Sequence, residues 1–97
     1  MATFIMLGNF TDQGIRNVKE STKRYDAFKE MAQKAGVTVK DVYWTMGQYD
    51  VVAICEAPDE QTACALLIGL GSRGNLRTQT LSAFSREEMD SIVSKMM

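Results

Sequence analysis

Four consecutive apolar residues, Phe4-Ile5-Met6-Leu7, carry no polar alternation, which is the pattern of a strand covered on both faces. That strand is expected from about Thr3 to Phe10 and ends at Thr11 and Asp12. Gly14 and the polar residues after it predict a short turn or a single helical turn. The period then changes. From Ser21 to Ala35, Tyr25, Phe28, Met31, Ala32 and Ala35 recur at three- and four-residue spacing, with Lys23, Arg24, Lys29, Glu30 and Lys34 assigned to the other side, so a helix is predicted. Gly36 stops it, as a residue free to adopt positive φ.

Val37 to Met46 is rich in β-branched and aromatic residues. Gly47-Gln48-Tyr49 separates it from a second such run, Asp50 to Glu56, and the pair reads as a β-hairpin. Pro58 and Asp59 signal a helix entry with a capping carboxylate, and the helix runs through Ala63, Leu66, Leu67, Ile68 and Leu70. Gly69, Gly71 and Gly74 are expected to terminate it. Asn75 to Phe84 returns as a fourth strand, and Ser85 with Glu88 three residues on forms a capping box for a last helix striped by Met89, Ile92, Val93 and Met96. The order predicts an α+β fold of the ferredoxin-like type, βαββαβ with a four-stranded antiparallel sheet plus a C-terminal helix. One domain is expected over residues 1–97, with 84–97 as a helical extension.

In such a sheet the first and third strands are central, and both are apolar on both faces: Phe4 and Met6 against Ile5 and Leu7, and Val51, Ala53 and Cys55 against Val52 and Ile54. Helices cover one face only. The other face would leave on the order of several hundred Å² of contiguous apolar surface bare, which predicts a second copy packed sheet against sheet, as a homodimer or a higher even oligomer. The alternative is that the last helix folds back over its own sheet.

Composition narrows the function classes. A chain of 97 residues with a formal net charge of -1 offers no basic surface for a nucleic-acid backbone, and no apolar run is long enough to span a bilayer, so neither nucleic acid nor membrane is an expected partner and a cytoplasmic location is predicted. Cys55 and Cys64 lack the spacing of a redox pair or a metal site and read as core thiols. The chain has no histidine, which removes the commonest general base and metal ligand, and no metal or cofactor is expected.

Gly47-Gln48-Tyr49-Asp50, preceded by Tyr43-Trp44-Thr45 and followed by Glu56-Ala57-Pro58-Asp59, resembles the GYD-domain family, and Gly74-Asn75-Leu76-Arg77-Thr78-Gln79-Thr80 fits it as well. The resemblance spans nearly all of the first 84 residues and leaves the last helix outside. The family is similar to the dimeric α+β barrel proteins, which implies a ferredoxin-like protomer whose sheets form a dimer. It implies no particular activity. The turn also resembles the Gly-x-Tyr-Asp turn of the effector domains of leucine- and asparagine-responsive regulators, which bind amino acids; this chain shows no DNA-reading helix-turn-helix ahead of the domain.

Gly69-Leu70-Gly71-Ser72-Arg73-Gly74 has dinucleotide-binding glycine spacing, but it follows a helix and precedes a strand, the reverse of what phosphate binding at a helix N-terminus needs. It reads as a helix-ending turn, with Arg73 a candidate to hold an anion at the mouth of a pocket. Asp50 and Glu56 stand about 20 Å apart on one strand, too far for a carboxylate pair, and Asp50 is expected to bond N–H groups within the turn. Tyr43, Trp44, Tyr49, Asn75 and Arg77 bound the cleft between helices and sheet or between two sheets. Tyr43 and Trp44 face opposite ways, so an aromatic lines whichever face points inward.

Three functions fit. The first is a homo-oligomeric domain binding a small metabolite in or beside the dimer barrel through Tyr43, Tyr49, Asp50 and Arg77. The second, by analogy with cofactor-free monooxygenases of the wider superfamily, is an oxygenase or isomerase acting on a small aromatic or quinone-like substrate, favoured if Tyr43 or Trp44 lies beside Arg77 in a roomy pocket. The third is an assembly or stress-related accessory protein acting through its surface, favoured if Met89, Met96 and Met97 are exposed.

Overall fold

Strand β1 (Ala2–Phe10) pairs along both edges, with β3 (Val51–Ala57) on one side and β4 (Leu76–Ala83) on the other, and β2 (Thr38–Trp44) completes the sheet outside β3. The order is β2-β3-β1-β4 and every pairing is antiparallel. The computed structural model describes residues 1–97. Between β1 and β2 the chain forms α1 (Asp12–Arg16), a 3-10 turn (Val18–Glu20) and α2 (Ser21–Lys34); α3 (Glu60–Ser72) joins β3 to β4, and α4 (Arg86–Ser94) follows β4. The ferredoxin-like α+β arrangement read from the sequence is the one observed.

Register separates the two faces. Phe4 pairs with Cys55, Met6 with Ala53 and Gly8 with Val51, and these residues turn toward α2 and α3, where Phe28, Ala32, Ala63 and Leu66 close the core. Ile5 pairs with Ile54 and Leu7 with Val52 on the opposite face, flanked by Tyr43 on β2 and Leu81 on β4. Nothing in the protomer covers that face. The last helix does not fold back over it: every residue from Phe84 to Met97 is exposed. Met89, Ile92, Val93 and Met96 stand open to solvent on α4.

Helix ends follow local chemistry. Asp59 accepts the Thr62 N–H at 2.7 Å, and Ser85 and Glu88 form the reciprocal capping box. Helix α2 stops before Gly36, with φ of 81°, and α3 before Gly74, with φ of 85°. Gly69 and Gly71, expected to end α3, lie inside it. A helical glycine costs about 1 kcal/mol relative to alanine, and α3 continues through both because its apolar residues, Leu66 among them, pack on the core. Cys55 is buried as expected, but Cys64 is exposed. It is one residue beyond buried Ala63 on α3, and the helix turns about 100° per residue, which swings the thiol out of the core.

Candidate functional site

Trp44 ends the edge strand β2 on the helix side of the sheet, where its ring meets Tyr25 of α2 edge to face at 6.0 Å and 84°. Around this pair opens a cleft of about 230 Å³ between α2, the end of α3 and the sheet. Its floor is apolar, built from Met6, Phe10, Phe28, Val42, Val51, Leu70 and Leu76, and its polar lining is Ser21, Arg24, Arg73 and Asn75. Three of the residues singled out from sequence, Trp44, Arg73 and Asn75, therefore come together here.

The other four do not. Tyr43 and Arg77 lie on the opposite, open face, Tyr43 paired with Val52 and Arg77 with Asn9. Tyr49 reaches across toward β4, where its hydroxyl donates to Gln79 Oε1 at 3.2 Å. Asp50 bonds outside its turn: Oδ2 accepts the Phe10 N–H at 3.0 Å, while the Asp50 N–H donates to the Gly8 carbonyl at 2.8 Å. The hairpin tip is thereby tied to β1, reinforced by Asn9 Nδ2 donating to the Gln48 carbonyl at 2.7 Å. The carboxylate expected to serve the turn itself instead satisfies the end of the central strand. Arg77 is absent from the cleft, so the Trp44–Arg77 juxtaposition that would favour an oxygenase or isomerase is not formed.

Arg24 and Tyr25 belong to the cleft although neither was a candidate. The signal was present in the helical spacing. Arg24 stands four residues before buried Phe28 and three after Ser21, which places all three on one face of α2, not on the solvent side assigned to Arg24. Its guanidinium donates to the Asn17 carbonyl at 2.7 Å, to Ser21 Oγ at 3.3 Å and, at 3.4 Å, to the Gly14 carbonyl. Arg73 donates to Met31 Sδ at 3.3 Å, a weak acceptor. The ion pairs of the protein are Lys23–Glu20 and Lys40–Glu56, so neither cleft arginine meets a carboxylate.

The far wall is fixed by α1. Thr11 donates its N–H to the Asn75 carbonyl at 3.1 Å and its hydroxyl to the Gly74 carbonyl, and Gln13 Nε2 donates to the Arg73 carbonyl and to Asn75 Oδ1, both at 3.1 Å. Gly14 lies so close that a Cβ there would meet the Asn75 carbonyl oxygen at 2.0 Å. This lock holds the turn carrying Arg73 and Asn75 against the end of β1.

Acid–base chemistry is sparse. Burial pushes the Cys55 thiol up, away from the reactive thiolate. Asp59 and Glu88 are held below the usual carboxylate range by hydrogen bonds, from Thr62 and from Ser85 respectively, and both serve helix caps. No three of the Cys, Asp and Glu side chains gather into a metal-ligating group, and no helix is long and apolar enough to cross a membrane.

Comparison with known proteins places these features in a family. The sequence profile of the GYD domain matches residues 4–93, so the match runs through most of α4 where the motifs alone ended it at 84. A Thermus thermophilus protein named glutamine synthetase and cystathionine beta-lyase binding protein is 36% identical over 84 residues, covering 86% of this chain and 88% of the relative. Among solved structures, TTHA0845 of Thermus thermophilus superposes with a TM-score of 0.55 at 26% identity, over 88% of this chain and 95% of that one. The protein solved as FFRP-DM1 superposes with a TM-score of 0.62 at 16% identity, over 87% of this chain and all of the other, a likeness of fold.

Proposed function

This chain belongs to the GYD domain family, and from that premise we propose that it is a self-associating binding protein whose partner is another protein. The observation that carries the reading is its uncovered apolar surface. Ile5, Leu7, Val52 and Ile54, half-buried in the protomer, form a continuous stripe at the centre of a sheet with helices on the other side only, and the exposed Tyr43 and Leu81 widen it. Monomeric proteins seldom leave a patch of this kind bare. A second copy closes it sheet to sheet, giving the dimeric α+β barrel that family membership favours.

Helix α4 is the surface left for the partner. Its nine residues are all exposed in the protomer, and Met89, Ile92 and Val93 form an apolar stripe that Met96 extends. Methionine-rich stripes suit contacts with surfaces of varied shape. The Thermus relative is named for binding glutamine synthetase and cystathionine beta-lyase, which favours a metabolic enzyme as the partner here and a cytoplasmic location. Binding of purified glutamine synthetase and cystathionine beta-lyase from the same organism, measured by interferometry, tests this. Val93→Glu is expected to abolish capture and leave the dimer intact; capture unchanged by Val93→Glu, or no binding of either enzyme by the wild type, contradicts the reading.

A second reading is favoured by a separate observation. The cleft holding Trp44, Arg73 and Asn75 is built from side chains fixed by hydrogen bonds and packing, and it opens on the helix side, away from the face proposed to dimerise. A small metabolite bound there would be compatible with self-association.

A further inference from the structure

We propose that this cleft takes a small monocarboxylic acid with a flat apolar body, and that it discriminates against the corresponding amino acid. The proposal rests on the reading of the cleft as a metabolite site and names the chemistry of its ligand. Arg24 and Arg73 bring two positive charges to the polar lining and no neighbouring carboxylate; Arg24 is held by the Asn17 and Gly14 carbonyls and Ser21 Oγ, so it contributes charge while Arg73 contributes the free donors. Arg73 spends one N–H on a thioether, a weak acceptor, and keeps the rest of its donor fork available. Asn75 Oδ1 is occupied by Gln13, which leaves its amide N–H groups to point elsewhere, and Ser21 Oγ already accepts from Arg24, which leaves its O–H to donate.

The lining is thus rich in donors and poor in acceptors, and it carries positive charge over an apolar floor. A carboxylate satisfies those donors, with Arg73 able to engage both oxygens in the bidentate manner guanidinium favours. An α-ammonium group would find no carboxylate on the lining and would be repelled by the two guanidinium charges beside it. Size adds a limit. At about 230 Å³ the cleft is below the ~300 to 1,000 Å³ typical of sites for drug-sized ligands, so one ring and a short chain fill it. The ring has a partner in the Tyr25–Trp44 pair.

Trp44 is the only tryptophan and lies in the lining, so its fluorescence reports occupancy directly. The test is titration of the full chain with 3-phenylpropionate, phenylalanine and 3-phenylpropanol, following Trp44 emission and confirming each isotherm by calorimetry. The same titrations are run on Arg73→Gln, an exposed position whose change leaves the core untouched. The expected result is saturable binding of 3-phenylpropionate, at least tenfold weaker binding of the alcohol and the amino acid, and at least a tenfold loss of acid binding in Arg73→Gln. Equal binding of the three compounds, or an unchanged isotherm in Arg73→Gln, overturns the ligand class while leaving the cleft a ligand site. No response of Trp44 and no heat with any compound at millimolar concentration overturns the class and the cleft reading together.

Discussion

Gly14 sets the geometry of the cleft by having no side chain, since a methyl group there would be driven into the Asn75 carbonyl oxygen at 2.0 Å. That contact is backbone, which cannot swing aside as a flexible side chain would. Gly14→Ala is therefore expected to lower unfolding free energy by about 1–3 kcal/mol, the usual range for overpacking, and to loosen the turn carrying Arg73 and Asn75. Urea denaturation checks the first effect, and quenching of Trp44 by acrylamide the second. The two thiols make a separate residue-scale prediction. Cys64 is exposed and Cys55 buried with its pKa raised, so mass spectrometry after brief alkylation of the native protein should find one modified thiol, Cys64; equal labelling of both would contradict the core placement of Cys55. At this scale sequence alone distinguished poorly between arginines. Arg77 was placed among the metabolite contacts and Arg73 only at the mouth of a pocket, but Arg77 pairs with Asn9 in the β1–β4 register, which turns it to the open face, and it is Arg73 that lines the cleft.

Elements were far more legible, because each carries its own period and its own stop. The capping residues Asp59 and Ser85, with Glu88, begin their helices where the sequence placed them; β2 and β4 lie within the predicted stretches, and β1 and β3 each run one residue beyond, to Ala2 and Ala57. What failed were signals that depend on packing: glycines 69 and 71 resembled a helix end but stay inside α3, and Arg24 looked solvent-facing although the cleft lies beside it. The caps also fix a pH dependence. Asp59 and Glu88 titrate lower when folded than when unfolded, so between those values the unfolded chain binds more protons and stability rises with pH. Their contribution is complete above the ordinary carboxylate pKa of about 4 and is lost as pH falls through the lower folded values. Acid titration by circular dichroism should show helix loss beginning below about pH 4, and Glu88→Gln, which keeps a capping-box side chain without the charge, should flatten the α4 component. An α4 signal in Glu88→Gln that falls with pH as steeply as in the wild type would remove the cap from the explanation.

For the whole molecule, the governing fact is that one sheet carries two apolar faces and the chain supplies helices for one. The sequence disclosed this through unalternated runs, and the strand register adds which residues belong to which face. Met6 is 3% exposed beneath the helices, whereas Ile5 stands on the uncovered side. Lysine should therefore act differently at adjacent positions. Met6→Lys places an unpaired charge in the core and is expected to unfold the chain, since burial of such a charge costs several kcal/mol. Ile5→Lys is expected to keep the fold, with native circular dichroism, and to abolish self-association. The most direct test of the account is sedimentation equilibrium of the wild type and Ile5→Lys at low micromolar concentration. The wild type should sediment at twice the 10.8 kDa protomer mass or a higher even multiple, and Ile5→Lys as a folded 10.8 kDa monomer. A wild type that is already a monomer, or an Ile5→Lys variant that remains a dimer, would contradict it.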